Sequence, residues 1–155
     1  VLAKTSKALE RLNAMFRDGD VHKFYWATVC SAPLPSEGHL EDMIWRNEKQ
    51  NKSYICRPGS ARKDAKSARL NYRQIKQTDR YWVVEVELLT GRHHQIRCQL
   101  SNLGCPIKGD LKYGAPRSNP DGSISLHARR IVFMHPVKKE PMTIEAPVPS
   151  SWKGV

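Results

Sequence analysis

Apolar and polar positions alternate along most of this chain with the period of a strand. Over residues 22–30, Phe24, Trp26 and Thr28 fall on one face and Tyr25, Ala27 and Val29 on the other. Such alternation among aromatic and β-branched residues predicts a half-buried strand. Residues 40–45 and 53–56 predict two short strands around the polar turn Glu48-Lys49-Gln50-Asn51-Lys52. Residues 68–75 and 81–89 alternate likewise and are joined at Gln77-Thr78-Asp79-Arg80, which predicts a hairpin. A last pair follows, a strand over 126–134, a turn over 136–141 and a returning strand over 142–145.

Only two segments carry the helical period. Residues 5–17 place Ala8, Leu9, Leu12, Met15 and Phe16 on one stripe, with Thr5 or Ser6 as the cap. Residues 93–103 form a second helix closed by Gly104. Residues 33–38, 58–66 and 105–119 are loops, the second of them basic, and the tail over 147–155 is irregular. The sum is an α+β chain of one domain over residues 1–155, with a mixed, mainly antiparallel sheet and few helices. At 155 residues it is long enough for one substantial core.

Charge narrows the partner. Lys and Arg number 26 against 15 Asp and Glu, a net charge of +11, with a pI near 9.8. That excess favours a polyanion, nucleic acid before any other, over a merely basic soluble protein. No apolar run approaches the roughly 18–20 residues that span a bilayer, and no basic amphipathic helix with an aromatic face suggests a membrane surface. Cys30, Cys56, Cys98 and Cys105 include no Cys-x-x-Cys pair and predict reduced thiols in the cytoplasm. The six histidines lack zinc spacing, so no metal is expected. No Gly-x-Gly-x-x-Gly or Walker pattern supports a nucleotide cofactor. The chain opens at Val1 on what reads as the end of a strand, so a segment upstream is expected.

Four clusters are candidates for chemistry. The first is the strand–helix junction Thr90-Gly91-Arg92-His93-His94-Gln95-Ile96-Arg97. Its basic residues crowd a helix start, where free backbone N–H groups already favour an anion. Arg97 lies one turn into the helix, where it is either a surface or ion-paired arginine or the holder of a buried carboxylate. The second is Lys23-Phe24-Tyr25-Trp26, with Lys23 and Tyr25 on one face. It reads either as an exposed lysine with a core-edge tyrosine, or as a ring for stacking on a base with a cation for phosphate. The third is Leu126-His127-Ala128-Arg129-Arg130 with Phe133, His135 and Pro136, a core strand with a basic outer face. The fourth is Gly109-Asp110-Leu111-Lys112-Tyr113-Gly114, a structural turn in which Asp110 is expected to bond backbone N–H groups. No Gly-x-Ser-x-Gly elbow or nucleophilic triad is evident.

These segments resemble a known set. Thr90 to Arg97 is similar to the Thr-Gly-Arg-x-His-Gln-Ile/Leu-Arg motif of the RluA-type pseudouridine synthases, and Lys23-x-Tyr25 to their Lys-x-Tyr. Gly104-Cys105-Pro106-Ile107-Lys108-Gly109-Asp110 with Tyr113-Gly114 resembles their Gly-x-Pro-Ile-x-Gly-Asp…Tyr-Gly segment. Leu126-His127-Ala128 and Phe133-x-His135-Pro136 resemble the closing Leu-His-Ala…Phe-x-His-Pro strand. Order and spacing agree from Val1 to about Pro147, and four motifs in register are far more specific than one.

The resemblance implies a pseudouridine synthase catalytic fold and isomerisation of uridine to pseudouridine in ribosomal or transfer RNA. The N1–C1′ bond breaks, the base turns and a C5–C1′ bond forms, without metal or cofactor and, in the whole protein, as a monomer. By resemblance, Arg97 would pair with the catalytic aspartate, Tyr25 would stack on the target base and Leu126 would line the apolar wall. Lys23, Arg92, His94 and Arg129 would hold RNA. The family's His-Arg-Leu-Asp-x-x-x-Ser-Gly motif, which carries the nucleophile and would lie just before the strand at Val1–Lys4, is not in this sequence. The expectation is therefore a catalytic domain whose N-terminal part is missing, with an unpaired sheet edge, inactive as this polypeptide alone. The alternative is a non-catalytic RNA-binding module of the same fold.

Overall fold

The computed structural model describes residues 21–57, 62–134, 141–149 and 152. The expected helix over 5–17, the strand end at 1–4, part of the basic loop over 58–66, and His135 with Pro136 lie outside the described residues. Seven strands form one sheet: β1 (Val21–Val29), β2 (Glu37–Asn47), β3 (Lys52–Ile55), β4 (Lys66–Gln77), β5 (Trp82–Leu88), β6 (Leu126–Met134) and β7 (Pro141–Glu145). Their order is β3-β2-β4-β5-β1-β6-β7. Every neighbouring pair is antiparallel. The single described α-helix, α1 (Gln95–Asn102), follows β5.

The alternation in β1 sets the two faces. Ala27 and Val29 are fully buried, and with Leu70, Val84 and Val86 they floor a core that Ile96 and Leu100 of α1 cover. Opposite them, Phe24 and Trp26 point to a polar face built around Glu85. Its carboxylate accepts the Trp26 indole N–H at 3.1 Å and pairs with Arg130 at 3.3 Å and Arg73 at 3.4 Å. A second, smaller core joins Ile44, Ala68, Cys98 and Tyr113 between β2, β4 and α1.

The end of α1 places the segment that follows. Gly104 takes φ +92. Its N–H bonds to the Ser101 carbonyl at 3.0 Å, and that of Cys105 reaches back to Leu100 at 2.9 Å. This closure satisfies two terminal carbonyls and suits glycine, which has no side chain to clash at positive φ. The chain then returns along the end of β1, with Val29 bridging Ile107 and Lys108 donating to the Thr28 carbonyl at 2.8 Å. Gly109 follows with φ +87, where an added Cβ would lie 2.6 Å from the Ser123 carbonyl oxygen and the Asn119 amide. The tight path puts Asp110 at the start of a short 3-10 turn, Leu111–Tyr113.

Strand β3 forms one edge. Ser53 donates its N–H to the Tyr113 hydroxyl at 2.8 Å, and its carbonyl receives the Cys98 thiol at 3.5 Å. Strand β7 forms the other edge among the described residues, with only Met142 half-buried. Most boundaries shift by one to three residues from the sequence expectation, and two of the shifts have a clear cause. Strand β2 starts at Glu37, because its polar residues alternate on an open face while the backbone still pairs with β4. Helix α1 starts two residues late, because His94 adopts a left-handed conformation with φ 51 and cannot be a helical residue.

Candidate active site

The strand–helix junction is fastened by its own side chains. Gln95 is buried. Its Oε1 accepts the Thr90 hydroxyl at 2.7 Å and the Arg92 N–H at 3.0 Å, while its Nε2 donates to the Arg69 carbonyl at 2.9 Å. Thr90 Oγ1 in turn accepts the Arg69 N–H at 2.9 Å. One amide thus ties β4, the end of β5 and the start of α1 together. His94, at the helix boundary, is among the residue types that enter left-handed backbone most readily.

Arg97 does meet a buried carboxylate, and it belongs to this chain. Its Nε donates to Asp110 Oδ2 at 2.9 Å and its Nη2 to Oδ1 at 2.8 Å. The Asp110 side chain is 1% exposed and that of Arg97 19%. The expectation that Asp110 bonds backbone N–H groups is corrected here. Its carboxylate takes the planar two-pronged contact, which a guanidinium matches better than scattered amides do. Only its backbone carbonyl receives the turn's N–H groups, from Tyr113 at 3.2 Å and Ala115 at 2.9 Å.

The third Arg97 nitrogen, Nη1, contacts His94 Nε2 at 3.1 Å. Arginine only donates, so Nε2 is the acceptor and Nδ1 carries the proton. Nδ1 then donates to the Tyr113 hydroxyl at 2.8 Å. Burial first, and then the neighbouring Arg97, His93 and Lys112 cations, lower the His94 pKa from 6.5 to about 4. The ring is therefore neutral near pH 7, and both its nitrogens are used inside the protein. His93 stacks on it with ring centroids 3.7 Å apart.

Arg92 differs. It is exposed, and its Nε is anchored on the Ser67 carbonyl at 2.8 Å. Its two terminal nitrogens have no partner among the described residues. It is the arginine of this junction with donors to spare.

On the sheet, the register gathers part of the predicted set. Lys23 lies opposite Leu88 and Ile131, and Ala27 opposite Leu126. Tyr25, two residues from each of Lys23 and Ala27, shares their face. Both Tyr25 and Leu126 pack against the α1-covered core, and burial pushes the Tyr25 phenol above its ordinary 10.0. Arg129 is elsewhere. The β1–β6 register slips between Phe24 and Tyr25. Arg129 and Arg130 stand over the rings of Trp26 and Phe24, at 4.9 and 4.2 Å, on the opposite sheet face. Arg129 is also tied to Glu145 at 3.0 Å and to the Ala146 carbonyl.

Lys23 and Tyr25 share a face as their alternation predicts, the register sets Leu126 on that face too, and sequence reading missed three links. These are the Arg97–Asp110 pair, the His94–Tyr113 bond and the Gln95 clamp. The first had a signal, an arginine in want of a carboxylate and an aspartate in the turn just past its helix. Among the described residues, no three His, Cys, Asp or Glu side chains form a group able to hold a metal, and no helix is long and apolar enough to cross a membrane.

Known proteins are similar to this chain in sequence and fold. The family described as RNA pseudouridylate synthase matches residues 1–102. An uncharacterized RNA pseudouridine synthase of Chlorobaculum parvum is 31% identical over 171 residues, covering 100% of this chain and 52% of that protein. The ribosomal large subunit pseudouridine synthase D of Xanthomonas campestris is 33% identical, covering 96% of this chain and 47% of its own length. The solved structure of human RNA pseudouridylate synthase domain containing 4 superposes with a TM-score of 0.76 at 26% identity, covering 95% of this chain and 65% of that one. The chain spans about half the length of the relatives it matches. A match over 102 of the 155 residues, a span that takes in β1 to β5 and the strand–helix junction, makes this chain a member of the RNA pseudouridine synthase family.

Proposed function

We propose that this chain forms the pocket wall of an enzyme that isomerises uridine to pseudouridine in ribosomal or transfer RNA. The observation that carries the reading is Tyr25 and Leu126 on one sheet face, on strands beside β5, whose end leads into the junction that presents Arg92. A flipped uridine would stack on the Tyr25 ring against the apolar Leu126, which offsets the few kcal/mol needed to leave its own stack. Lys23 and Arg92 supply cations for the backbone around it. Arg129 supplies a further one only from the far side of the sheet, and His94 acts through Arg97 instead of touching RNA.

Arg97 enters this reading as a positioning residue. Its guanidinium is committed to Asp110 and His94, so an incoming catalytic carboxylate would have to share it. The spare donors of Arg92 make it the better partner for that carboxylate. The nucleophile itself is proposed to come from outside this chain. Asp42, Asp64, Asp110 and Asp121 are each hydrogen-bonded within the fold, and Asp79 sits in the exposed β4–β5 turn. We place the reaction in the cytoplasm, by a monomer without metal or cofactor. The four thiols are free, which fits a reducing compartment.

Forming the C5–C1′ bond expels the hydrogen on C5, so RNA carrying tritium at uridine C5 reports turnover as tritiated water. The full-length protein should release it, and Tyr25→Leu should lose at least tenfold, as expected from one lost base stack. RNA binding without any release would favour the second reading, a non-catalytic RNA-binding module. Among the described aspartates only Asp79 stands free, in the exposed β4–β5 turn at the opposite end of β5 from the junction, and that observation favours this alternative.

A further inference from the structure

Resting on the RNA reading above, we infer that the groove between the β2–β3 hairpin and the β5–α1 loop seats a phosphate of the strand flanking the target nucleoside. The groove encloses about 410 Å³. Ile44 and Trp45 form one side, Gly91, Arg92 and His93 the other, and Arg46 and Lys66 open into it. Two acidic residues also line it, Glu48 and Asp64. Asp64 is neutralised by Arg62, which grips it through Nε at 2.9 Å and Nη2 at 3.0 Å. Three cations therefore face a single uncompensated carboxylate, and their sign and spacing suit an anion.

The aromatic wall decides which part of RNA is held. Trp45 stacks on Tyr54 with centroids 5.1 Å apart, and the Arg62 guanidinium sits 3.6 Å above the Trp45 ring. The ring is already covered, so no base is needed there and none is read. What remains open is positive charge, which suits phosphate oxygens and tolerates sequence. Arg92 belongs to both places. It stands in the junction that follows β5, the strand paired with that of Tyr25, and also lines this groove. Through Arg92 the groove continues from the junction.

The experiment is equilibrium binding of the full chain to short single-stranded oligouridine and oligoadenosine across a salt series. Arg46→Gln combined with Lys66→Gln should weaken both equally, by about three-fold per charge, and reduce the log–log salt slope by about 0.7 per charge. Arg46→Lys should retain wild-type binding. Lys76→Gln, an exposed change at the other end of β4, should leave binding and slope unchanged. RNA binding with wild-type affinity and slope in the double variant overturns the groove and leaves the RNA reading standing. A loss confined to one base overturns the phosphate assignment. Equal groove-dependent binding of polyglutamate overturns the assignment to RNA. Wild-type protein that binds no RNA at low salt overturns the RNA reading itself, and the groove with it.

Discussion

The strand–helix junction and the groove beside it hold the same kinds of residue and use them in opposite ways. In the junction, Thr90, Gln95, Arg97, His94 and Asp110 spend their donors and acceptors on each other. In the groove, Arg46, Lys66 and Arg92 stand half-free, each tethered at most by one neutral contact. A polar motif is thus no guide to which of its members meets a ligand. Most of this one builds the backbone path, and the few residues it leaves unsatisfied are the ones positioned to bind.

The largest test of the contrast is Arg97→Ala. It strands the Asp110 carboxylate, 1% exposed, and should cost about 3–5 kcal/mol in urea unfolding. Asp110→Ala leaves Arg97 partly in water and should cost clearly less. Equal, small losses from both would mean that the pair is not the anchor described here. Next comes Gln95→Ala, which orphans the Arg92 N–H and takes away the acceptor of the Thr90 hydroxyl, while the Arg69 carbonyl keeps the Leu89 and Thr90 N–H groups. A loss of about 1–3 kcal/mol is expected, with faster amide exchange at Arg92 as the local signature.

Acid should loosen the junction and spare the groove. His94 has a folded pKa of about 4 against an ordinary 6.5. As pH falls, the unfolded chain takes up this proton first, so the stability His94 supports is complete above 6.5 and is lost between 6.5 and about 4. Unfolding midpoints measured on either side of 6.5 should differ in the wild type, and His94→Gln should narrow the difference. The smallest change is Arg92→Gln. It should leave stability within about 0.5 kcal/mol while reducing the salt slope of RNA binding by about 0.7. A large stability loss would place Arg92 with the locked residues.

How much of this was legible in the sequence follows the same division. Strand β6 matches its predicted span, 126–134, because alternation depends only on near neighbours. The faces of β1 were equally plain, with Ala27 and Val29 inward and Phe24 and Trp26 outward. The start of α1 was not, since the left-handed turn at His94 is imposed by the Gln95 clamp to a carbonyl on another strand. Asp110 was misread for a similar reason. A Gly-Asp turn ordinarily caps its own backbone, and only the Gly104 closure and the Val29–Ile107 bridge swing it under Arg97. The basic outer face of β6 was legible at Arg129, but strict alternation from Leu126 would turn Arg130 inward, and only the bulge in the β1–β6 ladder puts it outward beside Arg129.

The Tyr113 hydroxyl over Ser53 has a consequence for the protein in a crowded solution. A strand at the rim of a sheet offers its outward N–H and C=O groups to any passing chain, and stray pairing there seeds aggregates. On β3 those groups of Ser53 are already occupied, by the phenol on one side and the buried Cys98 thiol on the other. Burial drives that thiol's pKa up to about 11, so it stays protonated and keeps its cover in place across physiological pH. Side chains from the helix and the turn thus serve as a hem at Ser53, and they shorten the stretch of this edge along which copies of the chain can pair.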